Sequence, residues 1–287
     1  MKLGFIGIGT MGLPMSLNLS KKSGCAVTVY DRSPAAIAQA PDGALHVAGC
    51  AGDVADQCDV IFTMLPRSEH VQSVYTELLP HIRPGQIFVD MSTISPSVSR
   101  AVAGTVRSRG ADFADAPVVK SRPAAVDGTL GIYVGGREET FRAVLPLLQC
   151  MGSSVLYLGD NGAGLVMKLC HNALVAQIQN GVNETLHLAR TVAGIDAVTF
   201  ARAAAVGGAQ AFYLDSKAAV IQAGDYTPAF CAEYMHKDIG LAMDLCREAG
   251  LHFSGIELTA RRYDDALARG WGREDFSCTY KLLEHGD

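Results

Sequence analysis

The sequence predicts an α/β protein whose amino-terminal half forms a doubly wound parallel sheet and whose carboxyl-terminal half is all-helical. A glycine-rich turn follows an apolar run close to the amino terminus. Strand-like and helix-like segments then alternate to about residue 160, which is the pattern of repeated βαβ units. Beyond that point the chain is helical in pattern, with short breaks. We therefore expect a Rossmann-type domain over 1–161, joined by a long helix to a helical domain over 162–287.

Composition and charge narrow the classes of function. The 287 residues are 49% hydrophobic and 18% charged, as is typical of a globular protein. The net charge is −5 and the basic residues are scattered, so the sequence predicts no basic patch that would bind nucleic acid. Without a charged leader or an apolar run of membrane-spanning length, we expect a cytoplasmic protein that binds no membrane. The eight cysteines and eight histidines are not spaced as metal ligands usually are. We therefore expect reduced thiols and no metal site.

The glycine-rich turn predicts a dinucleotide site. Gly7 permits a tight turn, Gly9 leaves the backbone open to a pyrophosphate, and Gly12 lets helix and strand pack closely. The phosphates would lie against the N–H groups at the amino terminus of the helix, where the helix dipole favours negative charge. Three glycines alone are a weak signal, but their position at the first strand of an alternating pattern supports this interpretation.

An acidic residue after the second predicted strand favours NAD over NADP. Asp31 ends the apolar run 26–31 and follows Gly12 at close to the spacing at which a carboxylate meets the adenosine ribose. Such a carboxylate accepts hydrogen bonds from the ribose hydroxyls and repels a 2′-phosphate. Arg32 and Ser33 follow directly and could hold a phosphate if Asp31 turned away, so NADP stays open.

The other elements of this domain follow from capping signals and short apolar runs. A serine–proline pair at 33–34 predicts the start of a short helix, with the serine as its cap, and a second pair at 95–96 does the same. Strands are predicted over 59–65, 86–90, 113–118, 129–134 and 155–158.

The turns after two of these strands contain further candidate residues. In an open parallel sheet, ligands bind beyond the carboxyl ends of the strands. We therefore expect four residues to face the cofactor: Leu65, Pro66, Ser92 and Thr93.

The second half of the chain opens on a long helix, predicted over 164–190, that would reach about 40 Å. It is apolar on several faces, which favours burial between domains or subunits. Two further helices are predicted over 233–249 and 257–268.

Two polar residues near the start of the long helix are candidates for chemistry. Lys168 and Asn172 stand four residues apart on one face, among apolar neighbours. We expect partial desolvation to lower the pKa of Lys168 towards neutrality, which suits a general acid and base. The alternative is a lysine that extends to solvent from an interface, beside a locally capping asparagine. Spacing alone leaves both open.

Five motifs occur in order along the chain: Gly7-Ile-Gly-Thr-Met-Gly12, Asp90-Met-Ser-Thr-Ile94, Asp115-Ala-Pro-Val118 with Gly128-Thr-Leu130, Gly162-Ala-Gly164 leading to Lys168 and Asn172, and His236-Lys-Asp238. Over essentially its full length the chain thereby resembles the β-hydroxyacid dehydrogenase family, which includes 3-hydroxyisobutyrate dehydrogenase and tartronate semialdehyde reductase. The resemblance implies reversible hydride transfer between a nicotinamide and a small 3-hydroxyacid or its semialdehyde.

The resemblance also implies roles for individual residues. Lys168 would be the catalytic acid and base, Asn172 would bind substrate, and Lys237 would reach the cofactor from the helical domain. Family members associate through that domain as dimers or tetramers, so we expect a homo-oligomer. The dinucleotide would be lined by Thr10, Met11, Leu65 and Thr93.

Two departures from the family pattern bear on the substrate. Most members have Ser-Gly-Gly after the Asp-x-Pro-Val motif, whereas this chain has Val119-Lys-Ser-Arg-Pro123, with Lys120, Ser121 and Arg122 as candidate substrate ligands. A similar replacement in sulfolactaldehyde reductase meets a sulfonate, so we expect a sulfonate, phosphate or second carboxylate, unless these are solvated loop charges. His171 stands where the family commonly has an asparagine, and would contact substrate or form the pocket wall.

Two rival functions are compatible with the same architecture. An imine reductase-like enzyme and a non-catalytic dinucleotide-binding scaffold would both use this fold. Such relatives commonly lack the lysine at the position of Lys168, so its presence argues against both.

Overall fold

The computed structural model of the chain describes residues 1–41 and 43–284. In these ranges the strands are β1 (Leu3–Ile6), β2 (Val27–Tyr30), β3 (His46–Val47), β4 (Val60–Thr63), β5 (Ile87–Asp90), β6 (Asp112–Asp115), β7 (Val118–Val119), β8 (Leu130–Gly136) and β9 (Gly152–Tyr157). The α-helices are α1 (Gly12–Ser23), α2 (Pro34–Ile37), α3 (Ala51–Gln57), α4 (Ser68–Leu78), α5 (Pro96–Ser108), α6 (Arg122–Asp127), α7 (Glu138–Met151), α8 (Ala163–Ala193), α9 (Ala197–Ala204), α10 (Phe212–Ala223), α11 (Ala232–Glu248), α12 (Ser254–Ala268) and α13 (Lys281–Glu284). Short 3₁₀ helices occupy Leu79–His81, Trp271–Arg273 and Phe276–Tyr280.

The sheet is doubly wound around β1. Its strand order is β3-β2-β1-β4-β5-β6-β8-β7, with β9 paired to β8. The six strands from β3 to β6 in this order are all parallel, whereas β8 runs antiparallel to both β6 and β7. All residues of β1 and β4 are buried, because helices cover both faces of a parallel sheet. The predicted α/β fold with a parallel sheet is confirmed.

The chain divides into two compact units, Met1–Lys168 and the residues from Leu169 onwards. This division falls within α8, a few residues after the predicted boundary at 161. In the first unit, two apolar clusters contain the sheet residues, one around Phe5 and Phe62 and the other around Phe88 and Phe113. The second unit has its own core. Each unit therefore buries enough apolar surface to form a separate domain core.

The helical half follows its predicted pattern closely. α8 is 31 residues long and continues for several residues beyond the predicted end at 190. Several of its apolar side chains are exposed in the single chain, with Leu188 at 63% and Val192 at 76%. Among the described residues, no helix combines the length and apolarity that a membrane span requires.

Three local predictions need correction. The strand predicted over 113–118 is two strands, β6 and β7, because Pro117 lies between them and cannot donate a ladder hydrogen bond. Ser33 and Ser95 do occupy the positions before α2 and α5, but neither side chain makes a capping hydrogen bond in the part of the chain described. The hydroxyl of Ser95 instead pairs with that of Ser97 at 2.7 Å.

A buried carboxylate at the end of β6 anchors the start of α8. Asp115 accepts hydrogen bonds from the Gly162 N–H at 2.6 Å and the Leu165 N–H at 3.1 Å, one on each oxygen. Gly164 packs so closely that a Cβ there would lie 2.5 Å from the Tyr133 carbonyl oxygen. Burial raises the pKa of Asp115 from 3.8 to about 6, although the hydrogen bonds oppose the rise. The first turn of α8 is thereby fixed to the sheet.

Asp115 should make stability depend on pH. Its pKa is 3.8 in the unfolded chain and about 6 in the folded one, so its contribution to stability is present below about pH 4 and is lost as the pH rises through 6. The whole change is about 3 kcal/mol. Asp115→Asn removes the titration. The free energy of unfolding of both proteins is measured by urea titration. The value for wild type minus that for Asp115→Asn should fall by about 2.4 kcal/mol between about pH 4 and 7, which is most of the whole change. A constant difference would contradict this assignment.

The other end of β6 supplies a control with the opposite sign. Burial raises the pKa of Asp112, but hydrogen bonds from Thr140, the Phe113 N–H and Arg107 outweigh burial and hold it below its usual value. A lowered pKa stabilises the fold at neutral pH, and that contribution is lost as the pH falls. The free energy of unfolding of wild type minus that of Asp112→Asn should therefore decrease as the pH falls below about 4, whereas the corresponding difference for Asp115→Asn decreases as the pH rises above about 4.

Candidate active site

The turn from β1 into α1 needs glycine at two positions for reasons internal to the fold. Gly7 has a φ of +91°, and a Cβ there would overlap the Met64 carbonyl oxygen. A Cβ on Gly12 would overlap the carbonyl oxygen of Gly7, because the helix begins directly above the turn. The close approach of strand and helix that the sequence suggested is therefore present.

Gly9 differs, because the space above it is open. Apart from its chain neighbours, no atom of residues 1–41 and 43–284 lies within 4 Å of a Cβ placed on Gly9. Gly9 and Thr10 are exposed, and Met11 directly precedes α1, whose leading N–H groups have no partners within the helix. Open space beside the amino terminus of a helix fits a pyrophosphate, so the residues present here suit a dinucleotide.

Asp31 links the turn after β1 to the turn after β2. One carboxylate oxygen accepts a hydrogen bond from the Ile8 N–H at 2.9 Å, and the other accepts one from the Ser33 N–H at 2.8 Å. The side chain is half-buried, whereas Arg32 is exposed. Each carboxylate oxygen can accept a second hydrogen bond, so Asp31 retains the capacity to bind ribose hydroxyls.

A buried aspartate organises the turns after β4 and β5. Asp90 accepts hydrogen bonds from the Thr63 hydroxyl at 2.7 Å and the Ser92 hydroxyl at 2.6 Å, and the Leu65 N–H donates to Ser92 at 2.8 Å. Ser92 is fully buried, so the expectation that it faces the cofactor is wrong. On the same turns, Leu65 and Thr93 are half-buried and Pro66 is exposed.

The segment 119–123, which departs from the family pattern, has an unusual backbone conformation at Lys120. Lys120 has a φ of +76°, a left-handed conformation that costs a non-glycine residue about 1–2 kcal/mol. Its ammonium donates to the Thr129 carbonyl oxygen at 2.7 Å. Ser121 precedes α6 and Arg122 is its exposed first residue. The lysine thus occupies a backbone geometry suited to glycine.

The two candidate residues of α8 are both buried. Lys168 is 7% exposed and Asn172 is 6% exposed, while His171 between them is half-buried. Because Asp115 holds the Leu165 N–H, Lys168 lies less than one helical turn from a fixed point of the sheet. The apolar neighbours of Lys168 in the sequence correctly indicated its burial.

In the helical unit, Asp238 connects two of the candidate residues. Asn172 donates to one oxygen of Asp238 at 2.6 Å, and the Lys237 ammonium pairs with the other at 3.0 Å. Asp238 is 2% exposed. Asp238 and Asp90 occur within two of the five motifs, but the sequence alone predicts no role for either. The available signal was an acidic residue beside apolar ones, which does not by itself distinguish a buried side chain from an exposed one.

In the ranges that the structure describes, no group of three or more His, Cys, Asp or Glu residues could hold a metal ion.

Comparison with known proteins identifies the family. The profile described as "NAD binding domain of 6-phosphogluconate dehydrogenase" matches residues 2–159, and that described as "NAD-binding of NADP-dependent 3-hydroxyisobutyrate dehydrogenase" matches 162–283. Mitochondrial 3-hydroxyisobutyrate dehydrogenase of Pongo abelii is 35% identical over 98% of this chain and 86% of its own length. The chain belongs to the β-hydroxyacid dehydrogenase family.

Other members of this family are similar over their whole lengths. NAD-dependent L-serine dehydrogenase of Pseudomonas aeruginosa is 33% identical over 99% of this chain and 98% of its own. The structure of Mycobacterium tuberculosis 3-hydroxyisobutyrate dehydrogenase with L-serine has a TM-score of 0.90 and 31% identity, covering 98% of both chains. As a family member, this chain is an NAD(P)-dependent dehydrogenase of hydroxyacids. The imine reductase and scaffold alternatives are not favoured.

Two glycines of the β1–α1 turn should respond differently to alanine. Gly7→Ala forces a Cβ against the Met64 carbonyl in a left-handed backbone, so the free energy of unfolding should fall by about 2 kcal/mol or more. Gly9→Ala has room, so its stability should stay within about 1 kcal/mol of wild type. The new Cβ would nevertheless occupy the space assigned to the pyrophosphate, and the dissociation constant for NADH, from fluorescence titration, should rise by about tenfold. Wild-type affinity in Gly9→Ala would refute its assignment.

Proposed function

We propose that this dehydrogenase interconverts a small 3-hydroxyacid and its semialdehyde, on a substrate with an additional anionic group such as a sulfonate, a phosphate or a second carboxylate. The observation that carries the proposal is Lys120. Its left-handed backbone is strained, and its ammonium is held at the Thr129 carbonyl oxygen. An ammonium has three donors, so Lys120 can bind an anion as well. Ser121 and Arg122 follow it and would complete this anion site.

Lys168 is the proposed acid and base. When bound, the nicotinamide supplies hydride transfer to and from the carbinol carbon. During oxidation, Lys168 takes the proton of the substrate hydroxyl, and during reduction it returns that proton to the carbonyl oxygen. Asn172 orients the oxygen that gains or loses the proton, and His171 lines the substrate site. The burial of Lys168 and Asn172 supports these roles, because desolvated groups act more strongly on a reacting oxygen.

The proposed cofactor is NAD, in preference to NADP. Support comes from Asp31, which is held by two backbone N–H groups in an orientation that would place negative charge at the ribose. The remaining contacts are assigned to the glycine-rich turn and to the turns after β4 and β5, with Lys237 from the helical unit. The proposed cofactor residues are Gly7, Gly9, Thr10, Met11, Gly12, Asp31, Arg32, Leu65, Pro66, Thr93 and Lys237.

The helical unit is the proposed surface for a homodimer or homotetramer, in the cytoplasm. Large apolar side chains are exposed there in the single chain, including Leu174 at 59%, Phe212 at 84% and Val206 at 89%. Exposed apolar groups of this size favour contact with a second copy of the chain.

Lys168→Ala should lower kcat by about 100-fold or more, because it removes the group that moves the proton. NADH binding should be spared, since none of the proposed cofactor residues is changed. Steady-state kinetics and NADH fluorescence titration measure the two effects. Lys21→Ala, at an exposed lysine of α1, is the matched control and should retain wild-type kcat. Retained turnover in Lys168→Ala would exclude the proposed role.

The anion site can be tested with two substrates. We expect a higher kcat/KM for sulfolactate than for 3-hydroxyisobutyrate. Lys120→Ala should lower kcat/KM for sulfolactate by about tenfold, the effect of losing a charge-assisted hydrogen bond, and should change the value for 3-hydroxyisobutyrate by less than about twofold. Arg122→Ala tests the second cation in the same way. A strong preference of the wild type for 3-hydroxyisobutyrate would reject the sulfonate.

A further inference from the structure

Asp238 holds one side chain proposed to bind substrate and another proposed to bind the cofactor. It lies in α11, beside Lys237, whose ammonium is 3.0 Å from one carboxylate oxygen. The other oxygen is 2.6 Å from the amide nitrogen of Asn172 in α8. Burial of a carboxylate is costly unless it is paired and hydrogen-bonded, and these two contacts supply both. The cluster is therefore a built feature of the helical unit.

The contact with Asp238 determines which way the Asn172 amide faces. An ionised carboxylate accepts hydrogen bonds and cannot donate them, so the Asn172 atom that faces it must be Nδ2. Because Oδ1 and Nδ2 occupy the two branches of one planar amide group, Oδ1 then takes the branch that does not face Asp238. Asn172 therefore directs its carbonyl oxygen along a different line from its contact with Asp238.

We propose that Asp238 is a positioning residue for the hydroxyacid reaction. It selects the orientation of the Asn172 amide and holds the Lys237 ammonium, without itself touching the reacting atoms. One carboxylate would thus align a substrate ligand and a cofactor ligand together. This inference rests on the roles proposed above for Asn172 and Lys237.

Asp238→Asn separates the two functions of the carboxylate. The new amide has one acceptor and one donor, and the Lys237 ammonium can be met only by its oxygen. The NH₂ group would then face Asn172 and oblige that amide to reverse. The KM for the hydroxyacid should rise by about tenfold, whereas the dissociation constant for NADH should change by less than about threefold, because Lys237 keeps an oxygen partner. An unchanged KM would overturn the proposal.

An exchange variant distinguishes orientation from simple packing. Asn172→Asp combined with Asp238→Asn restores a carboxylate–amide hydrogen bond, with the two partners exchanged. If Asp238 orients the amide of Asn172, the exchange should recover the melting temperature lost in Asp238→Asn but leave the KM raised. If the pair serves only packing, KM and melting temperature recover together, and the proposal is wrong.

Two further variants complete the experiment. Asp244→Asn, in the same helix, changes an exposed carboxylate that pairs with Arg247 at 2.7 Å, and should leave the KM and the NADH affinity at wild-type values. Asn172→Ala should raise the KM by itself. If Asn172→Ala raises the KM and Asp238→Asn does not, the positioning role fails while the proposed role of Asn172 stands. If neither raises it, both fail.

Discussion

The placement of the candidate acid and base depends on the hydrogen bonds that the start of α8 donates to Asp115. Lys168 follows Leu165, whose N–H is bound by this carboxylate, within a single helical turn. A helix fixed only by apolar packing could rotate or slide slightly about its axis. Two N–H groups bound to one buried carboxylate remove that freedom, so Lys168 is positioned by the parallel sheet and not by a loop.

Carboxylates that accept hydrogen bonds from nearby backbone or hydroxyl groups recur at the carboxyl ends of the parallel strands. Asp31 follows β2, while Asp90 and Asp115 end β5 and β6. Each accepts hydrogen bonds from a neighbouring strand, turn or helix start. These carboxylates order the turns on the edge where an open α/β sheet binds its ligand. Much of their hydrogen-bonding capacity is therefore directed into the fold, and the ordered turns leave Gly9 and the start of α1 open.

The sequence correctly predicted the elements whose burial produces a regular pattern of apolar residues. Apolar runs located β1 and β4, and the unbroken helical pattern located α8, because burial on both faces of a strand or along a helix leaves a direct trace in residue order. The sequence-based predictions were wrong or incomplete where a side chain is oriented by a residue that is distant in the sequence. Ser92 turns inward because Asp90 and the Leu65 N–H bind its hydroxyl. The role of Asp238 depends on Asn172, which is 66 residues away, and no local pattern carries that contact.

Lys120 shows how local energetics can point to a ligand. Its left-handed backbone costs about 1–2 kcal/mol, which a glycine would not incur. The hydrogen bond that the ammonium donates to the Thr129 carbonyl oxygen contributes about 1.5–3 kcal/mol before solvent exposure reduces it, so the two terms roughly cancel. A lysine here therefore has no net benefit within the chain itself. An anion bound by the ammonium would supply the missing interaction, and this is why we place the charged end of the substrate at Lys120.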